Sequence, residues 1–216
     1  MADNRLNGNR SFNRESAPSS SAHSGRPRQT ARSHAWVRPA LGLGAPVLDL
    51  TAGTGQDTLF LRQETPTELA VLALDCQAEA LERTASRLRA HGLRATLLRA
   101  DHRETEDLLR QRQIPALGAA LANLGYLPGG NRAIVTTPAG TLAALEAVAR
   151  RLVPGGRMAV VAYTGHPGGP EEAAAVRAWW EGLAGSDWHT ELDPADPPPG
   201  RPLFFGALRR GPGEDG

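Results

Sequence analysis

Residues 47–58 read VLDLTAGTGQDT and are the most informative stretch of the chain. The short apolar run at its start is typical of a buried strand, and a helical pattern follows the turn. Gly53 and Gly55 let the backbone of that turn pass close to a ligand, and the turn leads the chain into a helix N-terminus. The stretch therefore predicts a ligand-binding loop between the first strand and a helix.

The rest of the chain repeats this alternation of strand and helix patterns. We predict strands at 46–50, 69–74, 95–99, 116–121, 158–163, 188–192 and 202–208, and helices at 57–64, 77–91, 104–113, 138–152 and 169–183. Thr137 can cap the fourth helix, and Pro138 suits its first position. The order and the short connections predict an α/β fold, with a parallel sheet covered by helices on both faces. Ligands of such sheets bind beyond the carboxyl ends of the strands.

Length and composition exclude several classes of protein. The chain has 216 residues, enough for one medium domain and a tail. Its longest apolar runs are only as long as a strand, so we expect no membrane span, no signal peptide and a cytoplasmic location. Cys76 is the only cysteine, which excludes an internal disulfide and a multi-cysteine zinc site. The acidic residues and histidines lack the spacing of a ligand set, so no metal is predicted.

The amino-terminal tail differs in charge from the rest. Residues 1–38 hold seven arginines against two acidic residues, whereas the remainder of the chain is net acidic. The tail has few large apolar side chains, so we predict that 1–31 is disordered, that 32–210 forms the folded domain and that 211–216 is disordered. The tail is either a solvated extension or an arginine-rich arm that contacts RNA phosphates.

Two acidic residues flank the glycine turn and indicate its ligand. Asp75 lies twenty residues after Gly55 and can accept hydrogen bonds from a ribose diol, in a nicotinamide site or an S-adenosylmethionine site. Asp49 would repel a pyrophosphate but suits the cationic, amino-acid-bearing end of S-adenosylmethionine. Thr58 stands where the dinucleotide fingerprint has its third glycine. We therefore expect S-adenosylmethionine as the cofactor, with a phosphate-binding or purely structural turn as the alternative.

Six sequence blocks together resemble one family. They are DLTAGTGQDTLFL at 49–61, DCQ at 75–77, DH at 101–102, NLGYLPGG at 123–130, TTP at 136–138 and GHPGG at 165–169. These blocks resemble the YtqB family of small bacterial RNA methyltransferases. The resemblance covers about 33–210 and implies a Rossmann-like class I methyltransferase fold with seven strands, the last of them antiparallel. Members of the MnmM type methylate the amine of 5-aminomethyl-2-thiouridine at the tRNA wobble position, so tRNA, through its anticodon stem-loop, is the implied partner.

The resemblance and the chemistry of the side chains predict a cofactor site. Its residues are Asp49, Thr51, Gly53, Thr54, Gly55, Asp57, Thr58, Asp75, Gln77, Asp101 and His102. A carboxylate at Asp101 can accept from the adenine amino group, and the His102 imidazole can lie against the ring. Alternatively, His102 only opens the next helix, and Gln77 is only a helix-start residue.

The predicted catalytic residues are Asn123, Tyr126 and His166. Asn123 can hold the target amine through its amide oxygen, and Tyr126 can stack a flipped base. His166 is either a base or substrate ligand, because an ammonium must lose a proton before its nitrogen can attack a methyl group. The alternatives are a structural turn at 123–130 and a bare turn around His166.

The sequence is compatible with three functions. The leading hypothesis is a tRNA N-methyltransferase that transfers the methyl group directly, without a covalent intermediate. A second hypothesis keeps the cofactor site but changes the acceptor to rRNA or a small-molecule amine. A third is a cofactor-binding module without catalysis. No cysteine follows the fourth strand, which argues against methylation at carbon 5 of a pyrimidine. Whether the protein forms a homodimer is also open.

Overall fold

The computed structural model describes residues 29–127, 129–130, 134–183, 185, 187–195 and 200–212. Most of the predicted tail, the last four residues of the chain and Pro128 of the NLGYLPGG block lie outside these ranges. Among the described helices, none has both the length and the apolar character needed to cross a membrane.

Seven strands of the described residues form one sheet: β1 Val47–Asp49, β2 Val71–Asp75, β3 Thr96–Arg99, β4 Leu117–Leu124, β5 Leu152–Ala162, β6 Trp188–Asp193 and β7 Leu203–Arg209. Their order in the sheet is β3-β2-β1-β4-β5-β7-β6. Strands β1 to β5 are parallel, and β7 lies antiparallel between β5 and β6. The predicted fold class, including the antiparallel last strand, is confirmed.

Helices cover both faces of the sheet. They are α1 Gln29–Val37, α2 Gln56–Glu64, α3 Ala78–Ala90, α4 Thr105–Gln111, α5 Pro138–Ala149 and α6 Gly169–Leu183, with 3-10 turns at Arg38–Ala40 and His102–Glu104. One apolar cluster packs α4, α5 and α6 against one face of the sheet, and a second packs α1 and α2 against the other. The hydroxyl of Thr137 accepts from the amide of Gly140, which confirms the predicted cap of α5.

Helix α1 is the main element that the sequence patterns do not predict. It begins at Gln29, three residues before the start that the sequence predicts for the domain. The indole of Trp36 lies directly on β7, where a Cβ atom at Gly206 would come within 2.7 Å of the ring. Arg32 forms an ion pair of 2.6 Å with Asp193. Some of the contacts that hold α1 thus come from the far end of the chain, and the local sequence of α1 carries no signal of them.

The boundaries of β4 and β5 also differ from the prediction. Strand β5 begins at Leu152, six residues early, because Leu152 pairs with Leu117 before the register shifts. Strand β4 extends to Leu124, so Asn123 lies inside the strand and pairs with Val161 rather than following the strand. Pairing between β4 and β5 therefore sets the position of Asn123, a predicted catalytic residue.

Candidate functional site

Asp49 organises the loop that follows β1. Its side chain is 0% exposed. One carboxylate oxygen accepts from the amide of Thr51 at 3.1 Å, and the other accepts from the hydroxyl of Thr58 at 2.6 Å. Because one oxygen bonds to the loop and the other to the first turn of α2, Asp49 acts on a ligand through its charge and through the shape that it gives the loop.

The burial of Asp49 predicts a pH-dependent stability of the cofactor-free protein. Burial and the nearby charge of Asp57 raise the pKa of Asp49 from 3.8 to about 7. Between these values the folded state holds a proton that the unfolded state has lost, so stability falls as pH rises from about 4 to about 7 and stays lower above that range. We expect Asp49→Asn, which keeps the shape, to raise the free energy of unfolding at pH 8 by roughly 2–4 kcal/mol.

Urea denaturation of both proteins at pH 4 and pH 8 checks this prediction. The gain in Asp49→Asn should be large at pH 8 and small at pH 4. An equal difference between the two proteins at both pH values would contradict it. In the same variant we expect weaker binding of the cationic S-adenosylmethionine, because the negative charge is gone.

Gly55 lets α3 pack against the loop. It has φ +78°, and a Cβ atom there would lie 2.7 Å from the Cα atom of Thr84 in α3. Arg87, one turn further along α3, donates to the carbonyl of Thr54 at 2.7 Å. The loop conformation therefore depends on a glycine at this position.

Replacing Gly55 with alanine should destabilise the protein by about 2–5 kcal/mol, since left-handed strain and a backbone clash add together. Gly92→Ala is the matched control, because Gly92 has φ +68° but nothing within 4 Å of the added atom. We expect that variant to lose only about 1–2 kcal/mol. Urea denaturation measures both losses, and equal losses would show that the contact with Thr84 has no energetic weight.

Asp75 lies at the end of β2 and faces the same loop. Its carboxylate accepts from the amide of Gly53 at 3.0 Å and from the amide of Gln77 at 2.9 Å. An ionised carboxylate can accept about four hydrogen bonds, so two further donors can be bound. Gln77 is the N-cap residue of α3, but its side chain makes no capping bond. The loop amides, the half-buried carboxylate of Asp75 and the charge of Asp49 fit a cationic nucleoside with a ribose diol.

Asp101 and His102 lie beyond the end of β3, where the adenine wall is predicted. Asp101 caps the 3-10 turn by accepting from the amide of Arg103 at 2.9 Å. His102 is the first residue of this turn, in agreement with the alternative that it opens a helix. Its Nε2 atom lies 3.2 Å from the hydroxyl of Thr141. Burial lowers the pKa of His102, so its ring is neutral near pH 7 and can lie against a base.

Asp57, predicted as a cofactor ligand, joins two other side chains. It is buried in the first turn of α2 and accepts from Nδ2 of Asn123. Its other oxygen lies 2.6 Å from Nε2 of His34, whose ring stacks flat on Phe60 at 3.8 Å between ring centroids. The structure thus brings together His34, Asp57 and Asn123. Sequence reasoning assigned His34 no role, and its only signal was its place at the start of the family resemblance.

This arrangement fixes the orientation of the Asn123 amide. An ionised carboxylate only accepts, so Nδ2 of Asn123 faces Asp57 and Oδ1 points away. That Oδ1 atom is buried and has no hydrogen-bond partner among the described residues. The backbone amide of Asn123 donates to Oγ1 of Thr51 at 2.8 Å, which connects β4 to the glycine loop.

Tyr126 lies just beyond the end of β4, the strand that carries Asn123, and His166 lies beyond the end of the neighbouring strand β5. Their rings pack edge to face with centroids 5.8 Å apart. Nδ1 of His166 lies 3.0 Å from the carbonyl of Pro167, which can only accept, so Nδ1 is the donor of this bond. Nε2 is buried without a partner among the described residues, and in the neutral form of the ring it is an acceptor. Tyr163, 41% exposed at the end of β5, adds an aromatic ring that sequence reasoning did not select.

The predicted residues therefore fall into two groups at one edge of the sheet. The predicted cofactor residues surround the ends of β1, β2 and β3, and the predicted catalytic residues lie at the end of β4 or just beyond the carboxyl ends of β4 and β5. Asp57 belongs with the second group through its bond to Asn123. Within the described ranges, no cluster of three or more His, Cys, Asp or Glu side chains could hold a metal ion.

Comparisons with known proteins give a consistent result. The family model described as "Putative rRNA methylase" matches residues 71–193. A chloroplastic tRNA (mnm(5)s(2)U34)-methyltransferase of Arabidopsis thaliana is 37% identical in an alignment of 174 residues, and the match covers 76% of this chain and 63% of the relative. This chain thus spans less than two thirds of the length of that relative.

Solved structures resemble the whole domain. A "putative rRNA-methylase" from Clostridium thermocellum has a TM-score of 0.77 and 27% identity, and the match covers 85% of this chain and 98% of the other. A "putative methyltransferase" from Streptococcus mutans, in complex with SAH, has a TM-score of 0.74 and 28% identity, covering 85% and 99%.

Proposed function

Because this chain belongs to the rRNA methylase family, we propose that it is an S-adenosylmethionine-dependent N-methyltransferase that acts on tRNA. The proposed target is the amine of 5-aminomethyl-(2-thio)uridine at the wobble position. The Arabidopsis thaliana relative, whose name gives a modified U34 of tRNA as its substrate, supports the choice of tRNA. The SAH complex of the Streptococcus mutans protein supports the choice of cofactor.

One observation carries the choice of an amine as acceptor. Asn123 Oδ1 and His166 Nε2 are both buried hydrogen-bond acceptors with no partner among the described residues. Leaving such atoms unpaired is costly, so an N–H donor of a bound ligand would stabilise each of them. A primary amine carries N–H donors for this purpose, whereas a ring carbon offers none.

The proposed mechanism uses these two atoms. When bound, S-adenosylmethionine supplies an electrophilic methyl group on a sulfonium. Asn123 Oδ1 accepts one N–H of the substrate amine and thereby aims the nitrogen lone pair. A nitrogen–carbon bond forms while the carbon–sulfur bond breaks, with its electron pair left on sulfur. His166 Nε2 accepts the proton that the amine must lose, and positioning supplies most of the rate enhancement.

The aromatic side chains suit an RNA acceptor. Tyr126 and Tyr163 are both partly exposed and lie at the ends of β4 and β5. Flipped or single-stranded bases stack on such rings, and each stack contributes about 1–3 kcal/mol to binding. The anticodon loop presents unstacked bases of this kind. A homodimer and a tail that contacts RNA phosphates stay predictions, since the tail lies outside the described residues.

Nucleoside mass spectrometry of tRNA from a deletion strain tests the proposal. We expect the unmethylated 5-aminomethyl-2-thiouridine derivative to accumulate and the methylated one to disappear, with both changes reversed by the wild-type protein. Unchanged derivatives would reject the tRNA assignment. Analysis of rRNA nucleosides from the same strain would then test the second acceptor class, and a purified protein that binds the cofactor but methylates no RNA or amine would indicate a binding module.

A further inference from the structure

Glu172 is a buried carboxylate that the proposed mechanism does not use. It lies in the first turn of α6 and is 1% exposed. Its two oxygens accept from the hydroxyls of Thr136 and Thr141, both at 2.6 Å. Thr136 lies just before α5 and Thr141 lies in the first turns of α5, so Glu172 joins the start of α6 to the start of α5 inside the protein.

The bond to Thr136 connects Glu172 to the side of the site where the methyl acceptor is proposed to bind. Oγ1 of Thr136 accepts from the amide of Gly125 at 2.9 Å, and the amide of Thr136 donates to the carbonyl of Gly125 at 3.1 Å. Gly125 stands between Asn123 and Tyr126 in the chain. Thr136 therefore fixes the backbone from which both predicted catalytic side chains project.

The bond to Thr141 reaches the cofactor side of the site. The hydroxyl proton of Thr141 points to Glu172, so Oγ1 of Thr141 is left to accept from Nε2 of His102 at 3.2 Å. Since the His102 ring is neutral, this bond places its single proton on Nε2. The opposite ring nitrogen, Nδ1, lies 3.5 Å from the carboxylate of Asp101.

The two hydroxyl bonds to Glu172 have the same direction because a carboxylate accepts hydrogen bonds and donates none. Each hydroxyl must turn its proton towards Glu172, and each then presents a lone pair outward, one to the Gly125 amide and one to His102. We propose that Glu172 is a positioning residue. It holds the segment 123–126, which carries two predicted catalytic residues, and the predicted adenine wall at Asp101 and His102 in one arrangement. Its expected effect on methyl transfer rests on the proposed function, whereas its effect on hydrogen-bond direction does not.

Glu172→Gln tests this proposal because glutamine has nearly the same shape but only one acceptor atom. One of the two hydroxyls must then reverse or lose its bond. We expect kcat for methyl transfer to fall at least about tenfold, and the Kd for S-adenosylhomocysteine to rise as well when the bond to Thr141 is the one that is lost. Glu171→Gln is the matched control, because Glu171 is the exposed neighbour in the same helical turn. We expect that variant to behave as the wild type.

Nitrogen-15 NMR separates positioning from a loss of structure. In the wild type we expect His102 in the Nε2–H tautomer and a deshielded amide proton at Gly125. Glu172→Gln should change at least one of these two signals, and Glu171→Gln neither. If both signals and kcat match the control, the positioning role is wrong. If the wild type methylates no acceptor, the proposed function fails, but the NMR comparison still tests Glu172.

Two further variants apply if Glu172→Gln does not fold. Thr136→Val should lower kcat with little change in cofactor affinity, and Thr141→Val should chiefly weaken cofactor binding. Identical effects of these two variants on kcat and on Kd would contradict a link between two distinct sides of the site.

Discussion

Asn123→Ala should lower the rate of methyl transfer by about 100- to 1,000-fold, the loss typical when one preorganised hydrogen-bonding group is removed from a catalytic site. The Kd for S-adenosylmethionine should change less than about threefold. The backbone amide of Asn123, which bonds to Thr51 and so supports the glycine loop, is unaffected by the change of side chain. Single-turnover assays and calorimetry on the same protein measure the two quantities.

Asp57→Asn tests the reason for this expected loss. An amide at position 57 can donate as well as accept, so it no longer forces Nδ2 of Asn123 to face it. We expect a rate loss in the same direction as for Asn123→Ala, again with cofactor affinity nearly unchanged. A large loss of cofactor affinity would instead support the prediction that Asp57 is a cofactor ligand. A rate near that of the wild type in Asn123→Ala would remove Asn123 from the mechanism.

Asp75→Ala should weaken binding of S-adenosylmethionine by at least about 100-fold. Hydrogen bonds to charged groups contribute about 1.5–3 kcal/mol each, and a ribose diol would donate two of them to this carboxylate. The variant also loses the bonds that hold the amides of Gly53 and Gln77. Binding of S-adenosylhomocysteine should weaken by a similar factor, because both nucleosides carry the same ribose.

Glu79→Ala is the control for Asp75→Ala. Glu79 is an exposed acidic residue at the start of α3, where its carboxylate pairs with Arg83. Calorimetry should show an unchanged cofactor affinity in this variant. If Asp75→Ala also binds both nucleosides with wild-type affinity, the ribose does not lie at Asp75.

The fold could be predicted largely because its signals are local. Strands β1, β2 and β4 are short apolar runs, and the glycine turn and the cap at Thr137 and Pro138 mark where helices begin. The errors occur where distant segments decide the outcome. Helix α1 depends on β7, and the start of β5 depends on pairing between Leu152 and Leu117.

The predicted site residues show the same division. The sequence by itself determined the carboxylate and glycine loop, because Asp49, Gly55 and Asp75 act through their spacing along one strand, turn and strand. Only the tertiary structure decided that Asp57 orients Asn123, 66 residues away, and that Glu172 connects two sides of the site. The physical reason is that a hydrogen bond between distant residues depends on how strands and helices pack, and local sequence periodicity does not record that packing.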